Sequence, residues 1–384
     1  MKPMKLRTAL NATAAACLFA PLFNAHAADF KAGAWDLSVG GILNAFYTSA
    51  SCSGNQTFTG SGLALAGKGL GCGGSDKSTI VGNGLLPNAL ITGAKTKEEG
   101  WEIAATLMIG SAASSADSIS TNNNVDVRQG FMTFGRADTG TFKLGRDYGL
   151  FGANAILSDM TLLGAGATTA ATQRNRVSLG HIGAGYTYLG HYGQIAYATP
   201  AVGGFSAAVA VMSPVDAFTA VAKAGSNPQL QAQVQFAGQG FKAWANVKSQ
   251  KFTAAAGDFN MNGVEAGGSV QAGAFGLLAN VQSGKGIGVL ADGDSGGLKQ
   301  NNTFVQGTFQ VTPKAKLGLG YGESKIKDGA AANLLSNTNL TAGVYYKLTA
   351  SVTLVGEASR TESKTFAGAK AKQDGLSFGG ILFF

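Results

Sequence analysis

The chain has 384 residues, of which 57 are glycine and 13% are charged, with a formal net charge of +8. Glycine is about twice and charge about half the usual share. That argues against a soluble enzyme of this size, whose surface would carry more charge, and the lack of an apolar run of ~20 residues after the N-terminus excludes a helical membrane protein.

Residues 1–27 combine Lys2, Lys5 and Arg7 with an apolar middle from Ala9 to Phe23 and end in Ala25-His26-Ala27, a small-x-small cleavage site. They are expected to be a secretory signal peptide, leaving residues 28–384 as one domain. Removing three basic residues leaves a mature charge of +5. This modest excess suits anionic solutes or lipopolysaccharide phosphates, and without a concentrated basic patch nucleic acid is not an expected partner.

From Trp35 to Tyr47 every second residue is Trp35, Leu37, Val39, Gly41, Leu43, Ala45 and Tyr47, with Asp36, Ser38 and Asn44 among the residues between. One apolar face about ten residues long with an aromatic at each end fits a strand crossing lipid. Comparable runs recur to the C-terminus, from Asn88–Thr96 and Trp101–Gly110 through Val352–Arg360 and Gly375–Phe384, and bring the count to sixteen. Their connections alternate between short turns, such as Lys97–Gly100 and Ala137–Gly140, and long polar segments, such as Thr48–Pro87 and Asp147–Tyr192. The expected fold is an all-β transmembrane antiparallel barrel of about sixteen strands with both mature termini periplasmic. Closure removes the unpaired edges that lipid could not satisfy.

Cys52 and Cys72 share the first long connection. In an exported chain an even pair favours a disulfide over two free thiols. The same connection holds Gly62 to Lys68 at the spacing of a phosphate-binding loop, but Gly69 stands where a Mg²⁺-binding hydroxyl belongs. His181 and His191 have no third ligand at metal spacing, and no GxSxG elbow is present, so no enzyme, cofactor or metal is expected.

Arg128 to Gly166 reads RQGFMTFGRADTGTFKLGRDYGLFGANAILSDMTLLGAG: a hairpin turning at Ala137-Asp138-Thr139-Gly140, a GRDYG box, and a segment of small residues around Asp159. It resembles the trimeric general-diffusion porins of Gram-negative outer membranes at Arg128, Phe131, Ala137, Gly140, Phe142, Gly145, Arg146, Tyr148, Gly149, Asp159 and Met160. The resemblance implies a third loop folded into the lumen, with Arg128 on the wall facing Asp159 on the loop and Arg146 in the box beside them. Two positions depart from the family: Asn88 replaces a wall arginine and Leu163 a loop glutamate. The family's Pro-Glu-Phe-Gly-Gly turn is also missing. Arg174 and Arg176 are candidate wall charges just beyond. In the fourth strand the phase is ambiguous, and the resemblance, by placing Arg128 in the lumen, turns Gln129 outward.

The chain ends with Leu376, Phe378, Gly380, Leu382 and Phe384 on one face. This end resembles the C-terminal strand that barrel-assembly machinery recognises. The expected function is a homotrimeric outer-membrane pore for passive diffusion of ions and small hydrophilic solutes, weakly anion-selective, embedded in lipid and lipopolysaccharide. A substrate-selective channel with Tyr186, Tyr188 and Tyr192 in the pore, or a surface adhesin or phage receptor using the long first loop, is the alternative.

Overall fold

The structure is a computed structural model that describes residues 28–55, 58–60, 62–114, 125–169, 178–219 and 221–384. Its strands form one antiparallel barrel of sixteen staves that closes where Lys370–Phe383 pairs with Trp35–Gly54. The second stave is broken: Lys77–Gly82 and Asn88–Glu98 lie one after the other along the first strand. A short N-terminal strand, Ala28–Ala32, folds back on Trp35–Val39 and continues the line of the last strand. The two meet where Gly41 N–H donates to the Phe384 carbonyl (2.7 Å) and Phe384 N–H to the Gly41 carbonyl (3.1 Å).

Alternation along the strands separates two faces. In Phe275–Lys285 the side chains of Phe275, Leu277 and Val281 are exposed, while Asn280 and Gln282 are buried on the opposite face. The last strand repeats this, with Leu376 and Phe378 outside and Gln373 and Ser377 inside. The outer face is what a lipid-exposed sheet requires, and the polar inner face is covered by other parts of the chain. Near the short turns, aromatic rings form a belt: Trp101, Phe134, Phe142 and Tyr197 lie with successive centroids 5.9, 5.4 and 5.0 Å apart. Arg136 sits over the Trp101 ring at 4.4 Å.

Strands reach further towards the long connections than apolar alternation indicates. Val352–Thr365 outruns the expected Val352–Arg360, and Trp35–Gly54 with Lys77–Gly82 takes up chain expected to be loop. Beyond the lipid a ladder needs only backbone hydrogen bonds, so polar residues such as Ser49, Ser51 and Ser53 extend it.

Cys52, at the end of the first strand, is disulfide-bonded to Cys72, with Cα atoms 6.2 Å apart and a sequence separation of 20. On the chain-entropy model this closure constrains the unfolded chain by about 3 kcal/mol. Digestion of unreduced protein should release the Cys52 and Cys72 peptides joined, as mass spectrometry will show; two separate thiol peptides would contradict it.

Candidate functional site

The described parts of the third long connection, 149–169 and 178–190, are hydrogen-bonded to inner-face side chains of the barrel. Gly152 opens it at φ +83°, a conformation that strains any other residue, and a Cβ there would come within 2.9 Å of the Thr187 carbonyl. A six-residue helix, Ala153–Ser158, follows and stops at Asp159, whose extended backbone breaks it. The Asp159 carboxylate then accepts the Thr161 N–H at 2.8 Å and caps a 3-10 turn, Met160–Leu163.

What holds this segment is a series of inner-face side chains reading its backbone. Gln231 Oε1 accepts from the Leu150 and Phe151 amides (2.7 and 2.9 Å), and Glu265 accepts from Gly152 N–H (2.7 Å). Gln306 bridges the helix end, accepting from Met160 N–H (2.6 Å) and donating to the Ser158 carbonyl (3.0 Å). Glu357 accepts from the Ala165 and Gly166 amides, both at 2.8 Å, and from the Tyr345 hydroxyl at 2.6 Å. Further along, Ser324 accepts from Gly185 N–H, and Gln373 donates to the Thr168 carbonyl. A loop has no ladder of its own, so buried amides and carbonyls must find such partners.

Room for the loop comes from glycine. In Ala315–Ile326 three successive inner positions are Gly318, Gly320 and Gly322, where a Cβ would meet Met160, His181 (2.9 Å from Cε1) and the Ala184 carbonyl respectively. The first and sixth long connections pack against the same region. Leu65 N–H donates to Asn337 and Ala66 N–H to Ser363, while Asp292 accepts from Lys248 (2.6 Å), Tyr192 (2.8 Å) and Gln229 (2.9 Å). Leu65, Ile156, Ile182, Tyr186, Leu290 and Phe304 join these three connections and the wall in one apolar cluster.

The sequence-predicted residues are dispersed around this structure. Asp159 is fully buried; besides Thr161 it accepts from Tyr186 Oη (2.6 Å) and pairs with His181 Nδ1 (2.9 Å), with the His181 ring centroid 4.5 Å from that of Phe304 at a tilt of 38°. Arg128 is bound instead to Asp126 at 2.8 Å, so the structure does not bring Arg128 and Asp159 together. A β-bulge next to Arg128 shifts the register of the fourth strand. Gln129 accordingly does not face outward: it pairs with the inner-face Met108, and its Nε2 donates to Asp147 at 2.8 Å.

Arg146 departs from the expected constriction. Lys143 and Asp147, four apart in one strand, share the inner face and are bonded to each other, which puts Arg146 on the exposed outer register. Its guanidinium donates to the Val127 carbonyl (2.9 Å). Asn88 mends the broken second stave by accepting from Asn44 N–H at 2.6 Å. Leu163 packs beside Phe46, Met160, Tyr345 and Val355. Arg174 and Arg176 lie outside the described residues. Gln231, Gln306 and Glu357 escaped sequence reasoning, although glutamine at alternate positions 229 to 235 and glycine at 318, 320 and 322 were visible signals.

A family model for the Gram-negative porin matches residues 12–365. The chain belongs to the Gram-negative porin family. No curated protein matches it by sequence. Among solved structures, the porin resembles the outer-membrane channel DcaP of Acinetobacter baumannii at 15% identity, covering 93% of this chain and all of that one with a TM-score of 0.69. It resembles the anion-selective porin of Comamonas acidovorans at 15% identity, covering 91% of this chain and all of that one with a TM-score of 0.65. The likeness to Salmonella typhi OmpF in complex with daunomycin is also at 15% identity, with 92% of this chain and all of that one covered and a TM-score of 0.61. The porin is therefore an outer-membrane barrel that crosses the membrane many times and forms a channel for diffusion.

Burial pushes the Asp159 carboxyl up, but the His181 charge and the hydrogen bonds from His181, Tyr186 and Thr161 outweigh it and hold the group below the ordinary carboxylate range. A depressed folded value stabilises above the unfolded value of about 3.9 and is lost as pH falls through the folded one. The melting temperature of wild-type porin should therefore exceed that of Asp159→Asn from pH 7 to 5, and the gap should shrink only below about pH 4. An equal gap at all pH values would mean that the clamp is not ionised.

Proposed function

We propose that the porin is a narrow water-filled pore for passive diffusion of ions and small hydrophilic solutes, with weak preference for anions, and that its third long connection lies within the lumen and narrows it. The observation that carries this reading is the set of hydrogen bonds from the connection's backbone to Gln231, Glu265, Gln306, Ser324 and Glu357, all on the inner face. A polar wall with a loop bonded across it leaves a restricted aqueous path rather than an open bore. The mature charge of +5 and the fold shared with an anion-selective porin support the sign of the preference.

On this reading residues 1–27 are a signal removed on export, and the mature termini meet on the periplasmic side. Phe384 ends the strand offered to the assembly machinery, and lipopolysaccharide surrounds the long connections. The porin assembles as a homotrimer, as a likeness to the trimer form of Vibrio cholerae OmpT at 13% identity supports. A substrate-selective pore is the second reading, favoured by the apolar cluster that three connections share.

In proteoliposomes, swelling rates for uncharged sugars should fall steeply with size and rise linearly with concentration, whereas saturation by one solute would favour the second reading. Replacing Gly322 by Val should drive the loop from its seat and change single-channel conductance severalfold, because a side chain cannot share that space with the Ala184 backbone. Unaltered conductance in a folded variant would place the narrowing elsewhere.

A further inference from the structure

Charge on the inner face is uneven near the short turns. In the sector that includes the first and third staves, Lys31 faces Asp36 at 3.1 Å and Lys97 faces Glu102 at 3.9 Å, so basic and acidic groups offset one another. About a quarter-turn around the barrel from the first stave, Ala315–Ile326 and Leu334–Lys347 put Lys316 and Lys347 on the inner face. Lys316 lies opposite Tyr345 in the ladder and holds its ammonium 5.2 Å from that ring's centroid, and Lys347 is near enough to act on it electrostatically. Among the described residues neither lysine has an ion-pair partner within 4.0 Å.

The acid nearest in sequence register cannot neutralise them. Glu357 is buried, its carboxylate committed to Tyr345 and to the Ala165 and Gly166 amides of the third connection. The lysines also border the narrowing: the next inner position after Lys316 is Gly318, the seat of Met160, and Tyr345 packs against Met160 and Leu163. Two uncompensated ammoniums thus flank the short-turn side of the loop, while Arg128 is already neutralised by Asp126.

We propose that Lys316 and Lys347 together form the anion-attracting step of the passage, recognising small anions such as chloride, carboxylates and phosphate as they pass the loop. The proposal rests on the pore reading above and names the residues that set its sign. Like charges held close on a low-dielectric wall focus potential into the path, and a passing anion relieves their repulsion without a fixed site to retain it. Because the pair sits at one end, its influence is one-sided. Salt on the short-turn side screens it, with a Debye length near 30 Å at 0.01 M and 3 Å at 1 M.

Reversal potentials in planar bilayers, under a KCl gradient applied in each direction, test this. The anion-to-cation permeability ratio should fall roughly twofold or more in Lys316→Gln/Lys347→Gln, invert in Lys316→Glu/Lys347→Glu, and persist in Lys316→Arg/Lys347→Arg. The shift should be larger when the dilute solution bathes the short-turn side. Lys325→Gln, on the outer register of the same strand, is the control for net charge and should leave the ratio unchanged. A ratio that ignores the pair, or that responds equally to Lys325→Gln, overturns the proposal while conductance upholds the pore. A wild-type protein that inserts but does not conduct overturns both. Should the double variants fail to insert, the single variants carry the same comparison.

Discussion

The rest of the structure depends on backbone hydrogen bonding that leaves no edge. Each stave pairs with two neighbours and the last with the first, so the amides that lipid cannot solvate are all answered within the sheet. Where that ladder is interrupted, side chains substitute for it. Asn44 and Asn88 do so at the gap between Gly82 and Asn88, with Asn88 accepting from the Asn44 amide and Asn44 from the Gly84 amide. The broken stave is therefore an accommodated defect, and it opens space beside Gly84, which approaches the backbone of Gly164 in the third connection.

The same requirement explains the inner face. A closed barrel with a polar interior can hold water or chain, and here inner-face side chains bond the backbone of the third connection. Loop backbone brings its own donors and acceptors without a ladder to satisfy them, and the wall answers with amides and carboxylates, from Gln231 to Gln373. The carboxylates at Glu265 and Glu357 each gather a loop amide, so these acids act as structural receptors rather than as free charges in the path. Asp159 does the same within the loop, drawing His181 and Tyr186 around itself. These three acids, Asp159, Glu265 and Glu357, are in this way withdrawn from the solvent.

Long connections of a barrel usually vary in what they pack against. In this porin three of them share a cluster that includes Leu65, Tyr186 and Leu290, and the Lys248–Asp292 pair, both side chains buried, ties the sixth connection to the wall. Burying an ion pair is costly unless its remaining hydrogen bonds are met. Asp292 meets that condition through Tyr192 and Gln229. Losing any one of these connections would expose partners belonging to the others, so they form a cooperative unit.

Sequence alone determined the class, the alternation and the closure of the barrel, because a strand in lipid must present apolar residues at every second position and the chain does so sixteen times. It also contained the family resemblance and the cysteine pair. It did not determine the phase of the fourth strand, since a single bulge beside Arg128 moves side chains between faces without any change of composition. Nor did it determine which charges face the path. Arg146 was assigned by a motif, but Lys143 and Asp147 pair on the inner face and alternation carries Arg146 out. The role of Asp159 was equally hidden, because whether a carboxylate is free or clamped depends on His181 and Tyr186, 22 and 27 residues further on, meeting it in space. Periodicity is local and can be read along the chain; charge neutralisation and loop seating are contacts between distant residues, and only the folded barrel brings those together.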